Sequence, residues 1–385
     1  MDRRLDPAAR YLFRIILPVV LLASPVTATG QATRSASLEH FAARLAADVQ
    51  ADGIGGIVAG VMIDGDLVWA RAFGLADRDQ NVPMSTGSIS RTGSISKSVT
   101  ATLMMRLVDR GVLALDDPVE DHLPEIRLIR DAPPDGPAIT FRHLASHTAG
   151  ITREPDLAGA ATGPIAQWKD KVIASLAQTR YDTVPGARYR YSNIGFGTLG
   201  LALSRAAGRP FMDLVVEEIF TPLGMTGSTF VIGDLEPRLA AGYVNRPNGS
   251  VDADQPAREH AGRGYKVPNG GVYSTVADLG RFMGALCGVP GLRILSEEGR
   301  REMLRVQTPG DPSRGYGLGL SLEIDAAGRT IASHGGSVAG YTAHIAFDPD
   351  ACIGVAILRN YQRGATDLRS AAHEVLRAVR DSRRP

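Results

Sequence analysis

Cysteine is nearly absent from this sequence, with two in 385 residues. That excludes a disulfide framework and leaves Cys287–Cys352 as the one conceivable bridge. Charge of one sign is also missing. The formal net charge is +1 with no run of like charge, so the electrostatic footprint of a nucleic-acid binder is excluded. No apolar run is long enough to span a bilayer, since IILPVVLLA at residues 15–23 stops well short of the required length. No internal repeat appears beyond a short SIS duplication, and no low-complexity linker divides the chain. Lysine is scarce as well: four residues against 23 serines, so the place of each lysine carries information. What remains, 44% hydrophobic and 22% charged, is the composition of an ordinary soluble chain able to bury a large core.

Arg3, Arg4, Arg10 and Arg14 precede the short apolar run, and Ser24-Pro25 and small residues follow it. This order predicts a signal peptide over residues 1–32, cleaved after Ala28 or Ala32, and hence an exported protein, periplasmic or secreted, with no stable membrane span after cleavage. No cysteine follows the run, which excludes lipid attachment there. Export permits a disulfide, but Cys287 ends the apolar LGRFMGALC and Cys352 opens the strand-like CIGVAIL, so two buried thiols fit equally well. The mature chain, 33–385, reads as one unit. Leu38 to Val49 carries helical periodicity, and GIVAGVMIDGDLVWARAFG alternates around Asp64-Gly65-Asp66 as a hairpin. Strand patterns return in GYGLGLSLEI, RTIASHGG, YTAHIAF and CIGVAIL, and a helix from Ala365 to Arg380 closes the chain. The economical architecture is an α/β (α+β) fold: a sheet from about 36–84 and 271–385, flanked by helices, with a mostly helical region at about 85–270 between.

The chemistry begins at RTGSISK, residues 91–97. Val99, Leu103, Leu107 and Val108 recur at helical spacing until Gly111, which puts Ser94 in or just before the first turn and on one face with Lys97. A serine hydroxyl is a poor nucleophile until a base takes its proton, and a lysine serves as that base once desolvation or neighbouring cations remove its charge. The upstream twin, Ser88 with Arg91, has the same spacing, but arginine does not deprotonate. Ser94 is therefore the candidate nucleophile. The helix N-terminus adds partial positive charge beside the reacting carbonyl. Chance supplies on the order of 0.2 serine-x-x-lysine pairs in a chain of this composition, so the pair needs company. Without it, a capping serine beside a solvated lysine explains the spacing.

Two further elements supply that company, each with a rival. Tyr191-Ser192-Asn193 stands just before the apolar helix start IGFGTLGLAL, whereas Tyr243-Val244-Asn245 precedes the loop RPNG. A phenol at Tyr191 is suited to exchange a proton with Lys97 and Ser94, and the Asn193 amide to bind a substrate carbonyl. The plain alternative for Tyr191 is a buried aromatic with a satisfied hydroxyl. His334-Gly335-Gly336 ends a strand, while its rival His260-Ala261-Gly262 lies in loop-like sequence. The glycines beside His334 allow close backbone approach, and the Ser337 amide pairs with that of Ser94 as an expected oxyanion hole.

Taken in order, Ser94-Ile95-Ser96-Lys97, Tyr191-Ser192-Asn193 and His334-Gly335-Gly336 resemble the motifs of the class C beta-lactamase-related serine hydrolases, a family that includes penicillin-binding proteins, D-alanyl-D-alanine carboxypeptidases, D-aminopeptidases and carboxylesterases. DRGVLALDDPVEDHLPEI, ITFRHLASHTAGI, VPGARYRYSNIGFGTLG, NGGVYSTVADLGRFM and HGGSVAGYTAHIAFDPD are similar to stretches of the same family, so the resemblance covers nearly the whole mature chain. It implies a beta-lactamase/transpeptidase-like fold with the site in a cleft between sheet and helical region. It also implies that Ser94 is acylated, that Lys97 and Tyr191 share proton transfer, and that Asn193, His334, Gly336 and Ser337 bind substrate. No cofactor and no metal are implied. The partner is a small ester, peptide or lactam. Two departures stand out: His334-Gly335-Gly336 replaces the lysine-threonine-glycine triplet of true class C beta-lactamases, and Ser90 stands where a bulky residue is usual four places before the nucleophile.

Competing readings are a zinc site at His143 and His147, four apart but with no accompanying carboxylate motif, and a nucleophile elbow at Gly335-Gly336-Ser337-Val338-Ala339, whose last glycine is missing. The functional alternatives to an esterase or D-amino-acid peptidase are a beta-lactamase and, from another class, a noncatalytic sensor that stays acylated.

Overall fold

The computed structural model describes residues 25–383. Most of the expected signal peptide, residues 1–24 of 1–32, lies outside the described residues. Helix α1 (Pro25–Asp52) begins earlier than the periodicity from Leu38 predicts. The hairpin follows: strands β1 (Gly56–Ile63) and β2 (Asp66–Asp77) meet at Asp64 and Gly65, whose φ values of 52° and 90° are the left-handed pair that a tight hairpin turn needs. A two-residue strand β3 (Val82–Pro83) edges β2.

The chain returns to this sheet through β4 (Arg314–Tyr316), β5 (Ser321–Ile324), β6 (Thr330–Val338), β7 (Tyr341–Asp348) and β8 (Ile353–Arg359). The sheet is antiparallel throughout, in the order β3-β2-β1-β8-β7-β6-β5-β4, so β1 from one chain end pairs with β8 from the other. GYGLGLSLEI, expected as one strand, is divided between β4 and β5. Gly319 turns the chain at φ 74°, and a Cβ there would stand 2.6 Å from the Ala101 side chain, so the helix beneath dictates the break.

Period-two alternation in β1 builds two cores. Ile57, Ala59, Val61 and Ile63 pack with Leu45 and Val49 of α1 and with Val375, Leu376 and Val379 of the C-terminal helix. Val58 and Met62 face the opposite way, into the large core that holds the helical region. β1 is therefore buried along its whole length. The C-terminal helix spans Leu368–Asp381; it starts three residues after the expected Ala365 because Asp367 caps it, accepting from Ser370 N at 2.7 Å.

In the helical region, α2 (Ser96–Asp109) stops just before Gly111, whose φ of 68° turns the chain as the sequence predicts. Helix α3 (Phe141–Ala145) and helix α4 (Asn193–Ala206) pack near it. Ser90–Arg91 and Tyr273–Ser274 pair as short strands close to α2. Among the described residues, no helix is long and apolar enough to cross a membrane. Cys287 and Cys352 are neighbouring free thiols.

Candidate active site

Ser94 sits in a single 3-10 turn, Gly93–Ile95, that leads into α2. Local bonds fix this turn. Ser96 Oγ donates to Gly93 O at 2.7 Å and accepts from Val272 N at 3.1 Å, and the Thr92 hydroxyl donates to Val272 O at 2.9 Å. One helical turn on, Lys97 is fully buried, with Nζ 3.0 Å from Ser94 Oγ and donating to Asn269 O at 3.2 Å. Burial pushes the Lys97 ammonium well below the ordinary lysine range, and the Arg153, Lys266 and Arg263 cations push the same way against the Glu154 carboxylate. Once deprotonated, a lysine so placed has its lone pair within hydrogen-bonding reach of the Ser94 hydroxyl.

Tyr191 joins this pair from the loop before α4. Lys97 Nζ and the Arg153 guanidinium each lie 4.8 Å from the centroid of its ring. Burial raises its phenol, while a hydrogen bond with Ser94 and the Arg153 cation offset part of that rise. The loop is held by Ser192, whose amide donates to His147 Nδ1 at 3.0 Å and whose hydroxyl caps α4 through Gly195 N at 3.0 Å.

The opposite wall is β6. Its pairing with β7 runs to Val338, but its pairing with β5 stops at Ser333, so one edge has no strand partner among the described residues from His334 onward. The Ser94 turn packs against that edge. Contact is so close that a Cβ on Gly336 would stand 1.9 Å from Thr92 O and 3.1 Å from Ser94 N, and a Cβ on Gly93 2.7 Å from Ser337 N. The glycines are what allow the two backbones to meet. A cleft of 610 Å³ opens here, lined among others by Ser94, Arg153, Tyr191, Gly335, Gly336 and Ser337.

Two expected binding residues take other partners. His334 does not form the cleft wall itself. Strand alternation turns its side chain beneath that wall, where Nε2 meets the Tyr316 hydroxyl at 2.9 Å and Nδ1 the Gly335 carbonyl at 2.7 Å. Burial, with the Lys97 charge adding to it, pushes His334 down to about 3, so the imidazole is neutral. Asn193, the first residue of α4, donates its amide to Glu154 Oε1 at 2.5 Å.

The rival motifs hold structure together. Ser88 Oγ accepts from Ser85 N at 2.9 Å within a turn, and Arg91 is buried against Glu259 at 3.1 Å. The Tyr243 hydroxyl accepts from Arg78 N at 2.8 Å, and His260 Nδ1 contacts the Tyr273 hydroxyl at 2.7 Å. His143 caps α3 through its Nδ1, while His147 lies beyond the helix end at φ 60° against the Tyr191 ring. Neither shares a helical face with the other. Among the described residues, no group of three or more His, Cys, Asp or Glu side chains is placed to hold a metal.

Sequence reasoning missed Arg153, Glu154, Asn269 and Tyr316. No local motif marks them; each is defined by a contact across the fold, Asn269 with Lys97 over 172 residues and Glu154 with Asn193 over 39.

A family model described as Beta-lactamase matches residues 41–380. The chain is 31% identical over 244 residues to Beta-lactamase-like protein 2 of Dictyostelium discoideum, covering 60% of this chain and 42% of that one, so it spans under half the length of that relative. It is 30% identical over 336 residues to Esterase EstB of Burkholderia gladioli, covering 79% and 84% of the two chains. The solved D-stereospecific amidohydrolase from Streptomyces sp. superposes with a TM-score of 0.67 at 27% identity, over 90% of this chain and 98% of that one. Since the matching family model runs from α1 through the sheet and the helical region to the C-terminal helix, the chain belongs to the beta-lactamase family.

Proposed function

We propose that this protein is a serine hydrolase that cleaves esters or amides through an acyl-enzyme on Ser94. The observation that carries the reading is Lys97: fully buried, its proton affinity lowered by burial and cations, and 3.0 Å from Ser94 Oγ. Lys97, with Tyr191 beside it, takes the hydroxyl proton as Ser94 Oγ bonds to the substrate carbonyl carbon. The backbone amides of Ser94 and Ser337 receive the oxyanion. Collapse expels the alcohol or amine, which recovers the proton through Tyr191, and water then releases the acid with the same groups reversed. The leader directs export and is then removed; N-terminal sequencing of secreted material, expected to begin near Thr29 or Thr33, tests this.

Ester cleavage is favoured over lactam cleavage. A neutral His334 offers no fixed charge to a substrate carboxylate, and an alkoxide or phenoxide leaves more readily than an amine. The relative EstB, named an esterase, supports the same order. The test is kcat/KM for p-nitrophenyl acetate or butyrate, a D-alanyl dipeptide and a cephalosporin, which should fall in that sequence. A cephalosporin that beats the esters makes the protein a beta-lactamase instead, and an acyl-enzyme that never turns over makes it a sensor.

A further inference from the structure

Glu154 stands outside the segments that carry Ser94, Lys97 and Tyr191, yet its carboxylate ties together the groups around them. It accepts from the Asn193 amide at 2.5 Å and from the Tyr265 hydroxyl, and it pairs with Lys266 Nζ at 3.1 Å. Those partners come from the N-terminus of α4 and from the turn Gly264–Lys266. Burial alone would raise the Glu154 carboxyl, but hydrogen bonds from Tyr265 and Asn193, with the Lys266 cation, hold it below the ordinary range, so it is an anion at neutral pH. A carboxylate only accepts hydrogen bonds. The Asn193 amide must therefore turn its NH2 toward Glu154, which fixes where its oxygen points.

Charge in this shell is lopsided. The Arg153 charge acts on Lys97 from the loop beyond α3, and those of Arg263 and Lys266 act from the turn preceding Asn269. The imidazoles of His147 and His334, pushed down by burial, are neutral, and the Tyr191 phenol is protonated. α4 contributes the apolar ring of Phe196, 5.8 Å from Lys97 Nζ. Among the strongest influences on Lys97, Glu154 supplies the anion.

We propose that Glu154 is a positioning residue of the acylation site, orienting the Asn193 amide toward the bound acyl group and balancing the Arg153, Lys266 and Arg263 cations around Lys97. This rests on the serine hydrolase reading above. It has a signature of opposite signs. Without the Glu154 charge a protonated Lys97 loses its stabilising neighbour, so the base stays neutral to lower pH; without Lys266 a repelling cation is gone, and the base stays protonated to higher pH.

The experiment is the pH dependence of kcat/KM for p-nitrophenyl acetate in the full chain, whose acid limb reports the base in the free enzyme. Glu154→Gln should move that limb to lower pH, Lys266→Met should move it to higher pH, and Glu154→Asp, which keeps the charge at a shorter reach, should leave the limb in place while lowering the rate. A purely structural Glu154 would reduce the rate at every pH with no displacement. Limbs that stay put in the first two variants, or move the same way, overturn the proposal. If Glu154→Gln fails to fold, Lys266→Met decides alone, because an unmoved limb there removes the balance. Ser94→Ala separates the two levels: turnover retained in it sinks the serine hydrolase reading, whereas a dead Ser94→Ala with unmoved limbs sinks only the role of Glu154.

Discussion

Replacing Lys97 by methionine should make the protein more stable at neutral pH while abolishing its activity. The native fold buries the Lys97 side chain completely, and its pKa is depressed as a result. The native state therefore binds fewer protons at this side chain than the unfolded chain does, between the depressed folded value and the unfolded value near about 10.4. In that window the stability of the wild type rises with pH by about 1.4 kcal/mol per unit from this one group. Below the window the whole penalty is present. Methionine has a similar length and no charge, so it removes both the penalty and the slope. Against this stand the lost contacts to Ser94 Oγ and Asn269 O, each worth about 1 kcal/mol, a term that does not vary with pH. The clean quantity is thus the difference between wild type and variant, in which the other titrating groups cancel. Two pH units inside the window should change that difference by about 3 kcal/mol, with the variant's advantage shrinking as pH rises. Urea unfolding of both proteins at a series of pH values from neutral upward measures it. Parallel curves would show that Lys97 is protonated in both states across that range, and the general-base role would fail without any substrate having been tested.

Further outcomes follow from the same geometry. Tyr191→Phe should lower kcat by about 10²–10⁴-fold with little change in binding, whereas Tyr243→Phe should leave kcat intact and lose only the Arg78 hydrogen bond; equal mild effects in steady-state kinetics would remove Tyr191 from the mechanism. Gly336→Ala should cut kcat by about 10²–10³-fold, because a Cβ 1.9 Å from Thr92 O forces β6 away from the Ser94 turn; a wild-type rate in a folded variant would refute the paired-amide oxyanion hole. Burial pushes His334 and His344 down to about 3 and His260 to about 4. A folded state with depressed histidines binds fewer protons than the unfolded chain, so stability is retained above about pH 6.5 and lost as pH falls toward those values, by about 1.4 kcal/mol per unit for each histidine. Denaturation midpoints between about pH 6.5 and 4.5, above the main carboxylate range, should fall accordingly, and a flat profile would contradict neutral burial.

What could be read from sequence alone was what local geometry decides. Ser94 and Lys97 are three residues apart on one helical face, and Asp64-Gly65 is the left-handed pair a hairpin requires, so both were legible without knowing the rest of the fold. Arginine chemistry alone separated Ser88–Arg91 from Ser94–Lys97. The break in GYGLGLSLEI was not legible, because Gly319 turns where α2 presses against it and its carbonyl accepts from Ser98 Oγ at 2.7 Å, 221 residues away in sequence. The direction of the His334 side chain depends on which face of β6 meets Tyr316, a matter of register that a triplet motif does not encode. Glu154 was invisible for the same reason: its partners Tyr265 and Lys266 are brought to it only by tertiary packing.

The account stands on one covalent event, the acylation of Ser94. Intact-mass spectrometry with peptide mapping after exposure to a fluorophosphonate probe measures it directly. The predicted result is a single adduct on the peptide that contains Ser94, absent in Ser94→Ala and unchanged in Ser88→Ala. An adduct on another residue, or labelling that persists in folded Ser94→Ala, would contradict it.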